Sequence, residues 1–193
     1  MSSSVNRIFS FLHKAEKLKC ELRHCWLSSG RQESVAEHVW RTSLMALLIF
    51  PHLNEKIDLF KSLKMVIIHD LVEIETGDTP VFLQEGYDTL QNELQAIDKI
   101  RDLIGGPAGE EIHALWYEFN ERKSAESCFV YALDKLEANL QHNESDECTW
   151  TQEDRDQVFK IENACAHDTF LREINEQIKK DAKSRVHPRI LGK

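Results

Sequence analysis

The stretch from Val66 to Pro80, VIIHDLVEIETGDTP, constrains this chain more than any other part of its sequence. It begins with the apolar pattern of a buried helix, runs into the pair His69–Asp70, and adds Glu73 before a stop at Gly77. An imidazole and carboxylates at the end of a core helix are costly unless something compensates their burial. A divalent cation would do so, because His nitrogen and carboxylate oxygen both suit Zn, Mn, Fe or Co. The stretch therefore predicts two adjacent metal ligands with a third acid within reach.

Two further residues are candidates for completing a metal site, because a His–Asp pair alone also occurs in structural ion pairs. His38 lies in the first turn of an apolar helix, SVAEHVWRTSLMALLIF, and Asp134 lies between core-like positions in YALDKLEAN. Residues at such positions are more often satisfied polar groups than ligands. Together with His69 and Asp70, however, they supply two imidazoles and two carboxylates from three helices. This set suits a divalent ion that keeps positions open for water.

Apolar residues recur at helical spacing along most of the chain, and no alternating β pattern, internal repeat or glycine-rich phosphate loop is found. The periodicity predicts an all-α fold, a bundle of six to seven helices, as a single domain over residues 1–193. We expect its core over about residues 4–180 and a basic, flexible tail over 183–193.

Helix boundaries follow from capping signals. Ser34 and Glu37 have the spacing of a capping box at the start of the helix that contains His38. The central helix is predicted from about Asp58 to Glu75, and a long last helix is predicted to open at Thr151. Residues 19–34 show no clear period, so we predict a connection there whose side chains are capable of function.

Composition limits the possible functions. The 193 residues carry 24 Lys+Arg against 33 Asp+Glu, a formal net charge of −9. This balance argues against binding to a nucleic-acid polymer, which requires a basic face, but allows a nucleotide held by one or two arginines. No apolar run approaches the length of about 18 residues that a membrane span needs. The five scattered cysteines, without a C-x-x-C pattern, indicate reduced thiols in a cytoplasmic protein.

The order H…HD…D resembles the HD-domain metal-dependent phosphohydrolases, an all-α superfamily. Three sequence words are more specific: ESVAEH ending at His38, IIHDLVEIETGDTP around His69–Asp70, and LDKLEA around Asp134. They resemble the YfbR-like 5′-deoxynucleotidases, which remove phosphate from deoxyribonucleoside 5′-monophosphates. The similarity runs from the first helix to beyond Asp134, and the string HD-x-x-E-x-x-x-G-D-x-P is its most selective part. The resemblance implies a metal-dependent phosphomonoesterase with an HD-domain fold.

The resemblance also implies the metal centre and the phosphate contact. The implied metal ligands are His38, His69, Asp70 and Asp134. The metal is a divalent cation, Co, Mn, Zn, Fe or Mg, whose identity the sequence does not give. Arg23, counted back from His38 without a gap, corresponds to the arginine that orients the phosphate.

Further roles follow from the same resemblance. Glu73, Asp78 and Arg23 are implied as catalytic residues, and a second metal is possible near Glu73 and Asp78. The implied substrate-binding residues are Arg23, His24, Asp70, Asp78, Thr79, Pro80, Val81 and Asp134. The family further implies a small-molecule nucleotide substrate and a homodimer.

One departure from the family pattern concerns the residue after Arg23. Bacterial members of the family carry a tryptophan directly after this arginine, whereas this chain has His24, with Trp26 two residues further on. In this respect the chain resembles the eukaryotic-type branch of the family. Imidazole is smaller than indole and can hydrogen-bond a hydroxyl. We therefore expect a preference for deoxyribose over ribose that is weaker than in members with tryptophan at this position.

Several alternatives stay open at the level of sequence. The four metal ligands do not determine which base or how many phosphates the substrate has. A cyclic-nucleotide or nucleoside-triphosphate substrate is therefore compatible with them. A catalytically silent HD domain that binds a nucleotide or a partner protein is a further alternative. Arg23 and Arg31 could be solvated surface residues, and Asp78 could be a turn residue and nothing more.

Overall fold

The computed structural model describes residues 3–79, 87–157 and 160–186. In chain order its elements are α1 Ser4–Ala15, β1 Leu22–Trp26, β2 Gln32–Ser34, α2 Val35–Ile49, α3 Leu59–Ile68, α4 Glu73–Thr76, α5 Tyr87–Ile104, α6 Gly106–Glu121, α7 Ala125–Glu144, α8 Gln152–Gln157, α9 Glu162–Cys165 and α10 Thr169–Val186. Within these ranges seven helices, α1, α2, α3, α5, α6, α7 and α10, have ten or more residues. The predicted all-α fold is confirmed.

The core lies where α2, α3 and α7 pack against one another. Each contributes side chains with no exposed surface, among them Val35 from α2, Met65 and Val66 from α3, and Val130 and Leu133 from α7. Burial of each such side chain contributes about 1.5–3 kcal/mol to folding. Helix α2 carries His38, α7 carries Asp134, and α3 ends directly before His69. The packing of these three helices therefore fixes the positions of the candidate ligands.

The start of α2 is held by the predicted capping box. The Glu37 backbone N–H donates to Ser34 Oγ at 3.3 Å, and the Ser34 backbone N–H donates to Glu37 Oε2 at 2.9 Å. The two bonds satisfy donors that a helix start leaves without partners. Because His38 is the next residue, the box also sets where its ring enters the core.

The predicted central helix over about residues 58–75 is wrong in one respect, because it is interrupted at His69–Val72. The Leu71 backbone N–H donates to the Ile68 carbonyl and the Glu73 N–H to the Asp70 carbonyl, three residues back instead of four. This tighter winding turns the chain at His69–Asp70. The stop at Gly77 is as predicted, with a φ of 74° that favours glycine.

The predicted connection over residues 19–34 contains an antiparallel hairpin of β1 and β2, which was not predicted from the sequence. Arg23 and Cys25 of β1 are buried while Leu22 is exposed. The sequence hides this alternation because one inward position holds an arginine and the facing strand buries Glu33. A hydrophobicity pattern cannot show a strand whose buried positions are charged.

The predicted long last helix is wrong as well, because the chain forms α8, α9 and α10 instead. Thr151 does open α8, but Asp168 begins a new helix by accepting the backbone N–H groups of Phe170 and Leu171 at 2.8 and 3.2 Å. Helix α10 ends at Val186. The rest of the predicted flexible tail, 187–193, lies outside the described residues.

No helix in the described ranges is both long and apolar enough to span a membrane.

Gly109 allows the close approach of α6 to α5, and its replacement provides a test of this packing. A Cβ at Gly109 would lie 2.5 Å from the Arg101 carbonyl oxygen. An ordinary Gly→Ala change in a helix stabilises by about 0.5–1 kcal/mol. We expect Gly109→Ala to destabilise by about 1–3 kcal/mol instead, as overpacking does, measured by urea unfolding.

The matched control is Ala114→Gly at an exposed position of the same helix. It should cost only the helix-propensity difference of about 0.5–1 kcal/mol. A Gly109→Ala variant more stable than the wild-type protein would contradict the close packing.

Candidate metal centre and substrate cavity

The four predicted ligands meet at one point of the core. His38 Nε2 lies 3.3 Å from Asp134 Oδ1 and 3.7 Å from Asp70 Oδ2, and His69 Nε2 lies 3.2 Å from Asp70 Oδ1. One ligand atom from each of His38, His69 and Asp70 falls within 4.8 Å of the other two. Helix α2, the turn after α3, and α7 thus place donors that are far apart in sequence around a common centre.

The donor atoms at this centre fit a divalent cation. Among the described residues, His38 Nε2, His69 Nε2 and Asp70 Oδ2 are buried and have no hydrogen-bond partner of acceptable geometry. Leaving such atoms unsatisfied costs about 1–3 kcal/mol each. Two imidazole nitrogens and carboxylate oxygens are donors that Zn, Mn, Fe and Co accept. A cation coordinated by these atoms would satisfy all three at once.

Both imidazoles are held so that Nε2 faces the centre. His69 Nδ1 donates to the Val66 carbonyl at 2.7 Å, and His38 Nδ1 bonds Glu137. Such contacts fix the tautomer and orientation of a ligating histidine. Sequence reasoning missed Glu137, although its position three residues after Asp134 on α7 places it on the same helix face.

Charges around His38 are balanced by buried partners. Burial and the Arg23 charge oppose protonation of His38, but Glu137 and Asp134 raise its pKa to about 9. Burial likewise opposes the charged form of Asp134, yet Lys135, at 3.0 Å, and the histidines hold its pKa well below the usual range. Arg41 Nε donates to Glu137 Oε1 at 2.6 Å. Binding of a cation to His38 Nε2 would therefore release a proton.

Arg23 projects from β1 into the same site. Its side chain is buried, and Nη1 lies 3.8 Å from Asp78 Oδ1 and 3.9 Å from Asp70 Oδ2. Its Nε lies 3.4 Å from Glu33 Oε2. The alternative of a solvated surface position is thus wrong for Arg23 but correct for Arg31, which is exposed and pairs with Glu37.

Glu73 and Asp78 complete the acidic side of the site. Burial, together with the charges of Asp70 and Asp78, raises the pKa of Glu73 to about 10. Its Oε2 is buried without a hydrogen-bond partner in the part of the chain that the structure describes. Burial also raises the pKa of Asp78, whose backbone N–H donates to Glu21 Oε1 at 3.3 Å.

A cavity of about 890 Å³ opens from the candidate metal centre. Of the predicted site residues, its walls include His69, Asp70, Glu73, Asp78, Thr79, Asp134, Arg23 and His24. The structure therefore brings these residues together, and His38 lies behind them with no exposed surface. Two other predicted substrate-binding residues, Pro80 and Val81, lie outside the described residues.

His24 reaches the cavity wall as part of a second polar cluster. His24 Nε2 lies 2.9 Å from Asp154 Oδ1, and the same oxygen lies 3.5 Å from His142 Nε2. Cys25 Sγ lies 3.5 Å from His142 Nε2. Burial lowers the pKa of His142 to about 4 and raises that of Cys25 to about 12. Nothing in the sequence indicated His142 or Asp154, because only the tertiary fold brings them to β1.

The helical fold and its convergent His–Asp centre define the class of this protein. The family profile "HD domain" matches residues 15–175. The chain belongs to the HD-domain family, which implies a divalent metal and confirms the predicted resemblance.

Several proteins with assigned names are similar to this chain in sequence or in structure. The chain is 32% identical over 148 residues to the 5′-deoxynucleotidase HDDC2 of Dictyostelium discoideum, covering 71% of this chain and 76% of that protein. It is 29% identical over 140 residues to the human 5′-deoxynucleotidase HDDC2, covering 71% and 67%. A predicted metal-dependent phosphohydrolase from Magnetospirillum magnetotacticum MS-1 has a similar structure, with a TM-score of 0.82, 29% identity and 96% of each chain covered.

Removing single ligands tests the candidate metal centre. We expect His69→Ala and Asp134→Ala to lose at least one equivalent of metal relative to wild type, because each removes a donor from the same ion. Metal content after dialysis, measured by inductively coupled plasma mass spectrometry, reports this directly.

The control is His52→Ala, which changes an exposed histidine stacked on Phe170 away from the centre. It should keep the wild-type metal content. A full complement of metal in both ligand variants would show that the assignment is wrong.

Proposed function

We propose that this protein is a metal-dependent phosphohydrolase that converts deoxyribonucleoside 5′-monophosphates to deoxynucleoside and phosphate. The observation that carries the proposal is the convergence of unsatisfied ligand atoms from His38, His69 and Asp70 beside Arg23 in one cavity. The relatives named 5′-deoxynucleotidase support the same activity and indicate the substrate class.

In this proposal His38, His69, Asp70 and Asp134 hold one divalent cation, of the group Co, Mn, Zn, Fe or Mg. When bound, the cation polarises phosphoryl oxygens and lowers the pKa of water at the site. The need for positive charge is clear from the residues themselves. Asp70, Asp134 and other carboxylates at the cavity would repel a phosphate dianion unless cations offset them.

Arg23 supplies fixed positive charge for the phosphate. Its guanidinium is buried between the carboxylates of Asp70 and Asp78, so it is already oriented before substrate arrives. A guanidinium binds phosphate oxygens through parallel N–H donors. Charge preorganised in this way stabilises the negative charge that develops during phosphoryl transfer.

Glu73 and Asp78 either transfer a proton or bind a second cation. With its pKa raised to about 10, chiefly by burial, Glu73 carries a proton that it can give to the leaving 5′-oxygen. Compensated by a second cation, the same carboxylate would be ionised and would act as a ligand with Asp78. Metal content of Glu73→Gln separates these roles, since only the second predicts a lost equivalent.

The sugar is proposed to contact the turn at Asp78, Thr79, Pro80 and Val81 and the hairpin at His24. The bond from His24 Nε2 to Asp154 fixes the imidazole at the cavity wall. A rigid wall beside C2′ can exclude a hydroxyl, whereas a loosely fitting pocket would accept one at little cost.

A homodimer is proposed from the outer face of α2 and α3. This face exposes large apolar side chains, namely Trp40, Leu44, Leu47, Leu48, Phe60 and Ile67. Trp40 is 66% exposed and Phe60 68% exposed. Exposed apolar patches of neighbouring helices mark interaction surfaces. A monomer in sedimentation equilibrium at micromolar concentration would contradict this assembly.

The cytoplasm is the proposed location. All five cysteines are free, which fits a reducing compartment. Recovery of the protein from an oxidising compartment in cell fractionation would contradict it.

A phosphate-release assay across nucleotides tests the proposed activity. With added divalent metal, we expect turnover of deoxyribonucleoside 5′-monophosphates and a higher kcat/KM for dAMP than for AMP. Equal values would leave a nucleotide phosphohydrolase without sugar preference. Turnover only of cyclic nucleotides or triphosphates would favour those alternatives, and no turnover would favour a silent nucleotide-binding domain.

Replacing Arg23 tests the phosphate contact. Arg23→Ala should lower kcat on monophosphates by about 10²–10³-fold, corresponding to roughly 2.7–4 kcal/mol of lost transition-state stabilisation. Its metal content should stay normal, because arginine is not a ligand.

The matched control is Arg31→Ala, since Arg31 lies on the same hairpin but is exposed and paired with Glu37. It should keep near-normal turnover. Near-normal turnover of Arg23→Ala would instead move the phosphate contact to another residue.

A further inference from the structure

Four side chains of types that can bind metal meet beside the cavity, and none of them belongs to the four candidate ligands of the HD centre. His24 and Cys25 come from β1, His142 from the last turn of α7 and Asp154 from α8. One ligand atom from each of His24, Cys25 and His142 lies within 4.8 Å of the other two. Asp154 Oδ1 lies within 3.5 Å of both histidines. Three separate elements therefore present nitrogen, sulfur and oxygen donors to one point.

Two of the donor–donor distances match those of a tetrahedral zinc site. Zn–N bonds of about 2.0–2.1 Å and Zn–S bonds of about 2.3 Å at tetrahedral angles separate donors by about 3.3–3.6 Å. Cys25 Sγ and His142 Nε2 are 3.5 Å apart, and so are His142 Nε2 and Asp154 Oδ1. His24 Nε2 and Asp154 Oδ1, at 2.9 Å, are hydrogen-bonded and need to separate by about 0.4 Å.

The environment also suits a closed structural site. Cys25 has no exposed surface, and His142 and Asp154 are at most 5% exposed, while His24 is half-buried. Closed four-ligand sites with sulfur and imidazole donors are typical of structural zinc. The four candidate ligands of the HD centre, by contrast, are histidines and aspartates and include no thiol.

We propose that Cys25, His24, His142 and Asp154 form a second metal site that binds Zn²⁺ and joins β1, α7 and α8. This site does not depend on the proposed phosphohydrolase activity. By tying β1 to two helices it would also hold the strand that carries Arg23. The competing explanation is a metal-free cluster in which the His24–Asp154 and Cys25–His142 hydrogen bonds suffice.

Cobalt substitution distinguishes the two metal sites, because only one contains a thiol. Full-length protein stripped of metal and reloaded with Co²⁺ should show a thiolate-to-cobalt charge-transfer band in the near ultraviolet. The band should disappear on addition of Zn²⁺, which displaces cobalt from sulfur and imidazole sites. Absence of the band in wild-type protein at saturating Co²⁺ would overturn the proposal.

Variants assign the band to these residues. Cys25→Ser should remove the band and one equivalent of metal, whereas Cys165→Ser, which changes the other buried cysteine, should keep both. A band that survives in Cys25→Ser would overturn the proposal. If Cys25→Ser does not fold, His142→Gln provides the same test, since it should lose one metal equivalent and shift or remove the band.

The HD-centre variant His69→Ala separates this proposal from the proposed function. It should lose activity and one metal equivalent but keep the thiolate band. Loss of the band in folded His69→Ala would show that cobalt at the HD centre produces it, which would contradict a separate site. If wild-type protein shows the band but is inactive on all nucleotides, this result would contradict only the proposed function.

Discussion

The burial of His38 between Glu137 and the candidate ligands Asp70 and Asp134 is the interaction on which the rest of this structure depends. The ring has no exposed surface, with Glu137 at Nδ1 and Asp70 and Asp134 near Nε2. A charged group in a helical core is tolerated only when it is paired and hydrogen-bonded. These pairings therefore constrain how the helices that carry the groups pack, and they bring the candidate metal ligands together.

Further ion pairs extend this balance outward. Arg41 neutralises Glu137, Lys135 neutralises Asp134, and Arg23 lies among Glu33, Asp70 and Asp78. After these pairings Asp70, Asp78 and Glu73 still outnumber the nearby cations. Burial and this excess of negative charge together raise the pKa of Glu73. A site with surplus buried acid beside a fixed guanidinium is suited to metal ions and to a phosphate that binds with them.

The hairpin β1–β2 contributes three neighbouring polar side chains to the site and its surroundings. It places Arg23 beside the candidate metal centre and His24 on the cavity wall, next to each other on one strand. Cys25, the next residue, points into the buried cluster with His142. Three consecutive residues are thus placed for the proposed phosphate contact, the cavity wall and the proposed zinc site, so small shifts of this strand would affect all three.

The sequence by itself determined the helical class, the capping box at Ser34 and the four candidate ligands. These features depend on local periodicity and on short words such as HD-x-x-E-x-x-x-G-D-x-P, which are readable without knowing any distant contact. Only the tertiary structure decided the hairpin, the break after Ile68, and the partners Glu137, Asp154 and His142. Their roles depend on residues about 100 or more positions away in the chain, such as the His38–Glu137 and His24–Asp154 pairs. A local sequence pattern does not show which distant residues form such pairs. Charged and polar side chains are stable in the core only when these partners are present.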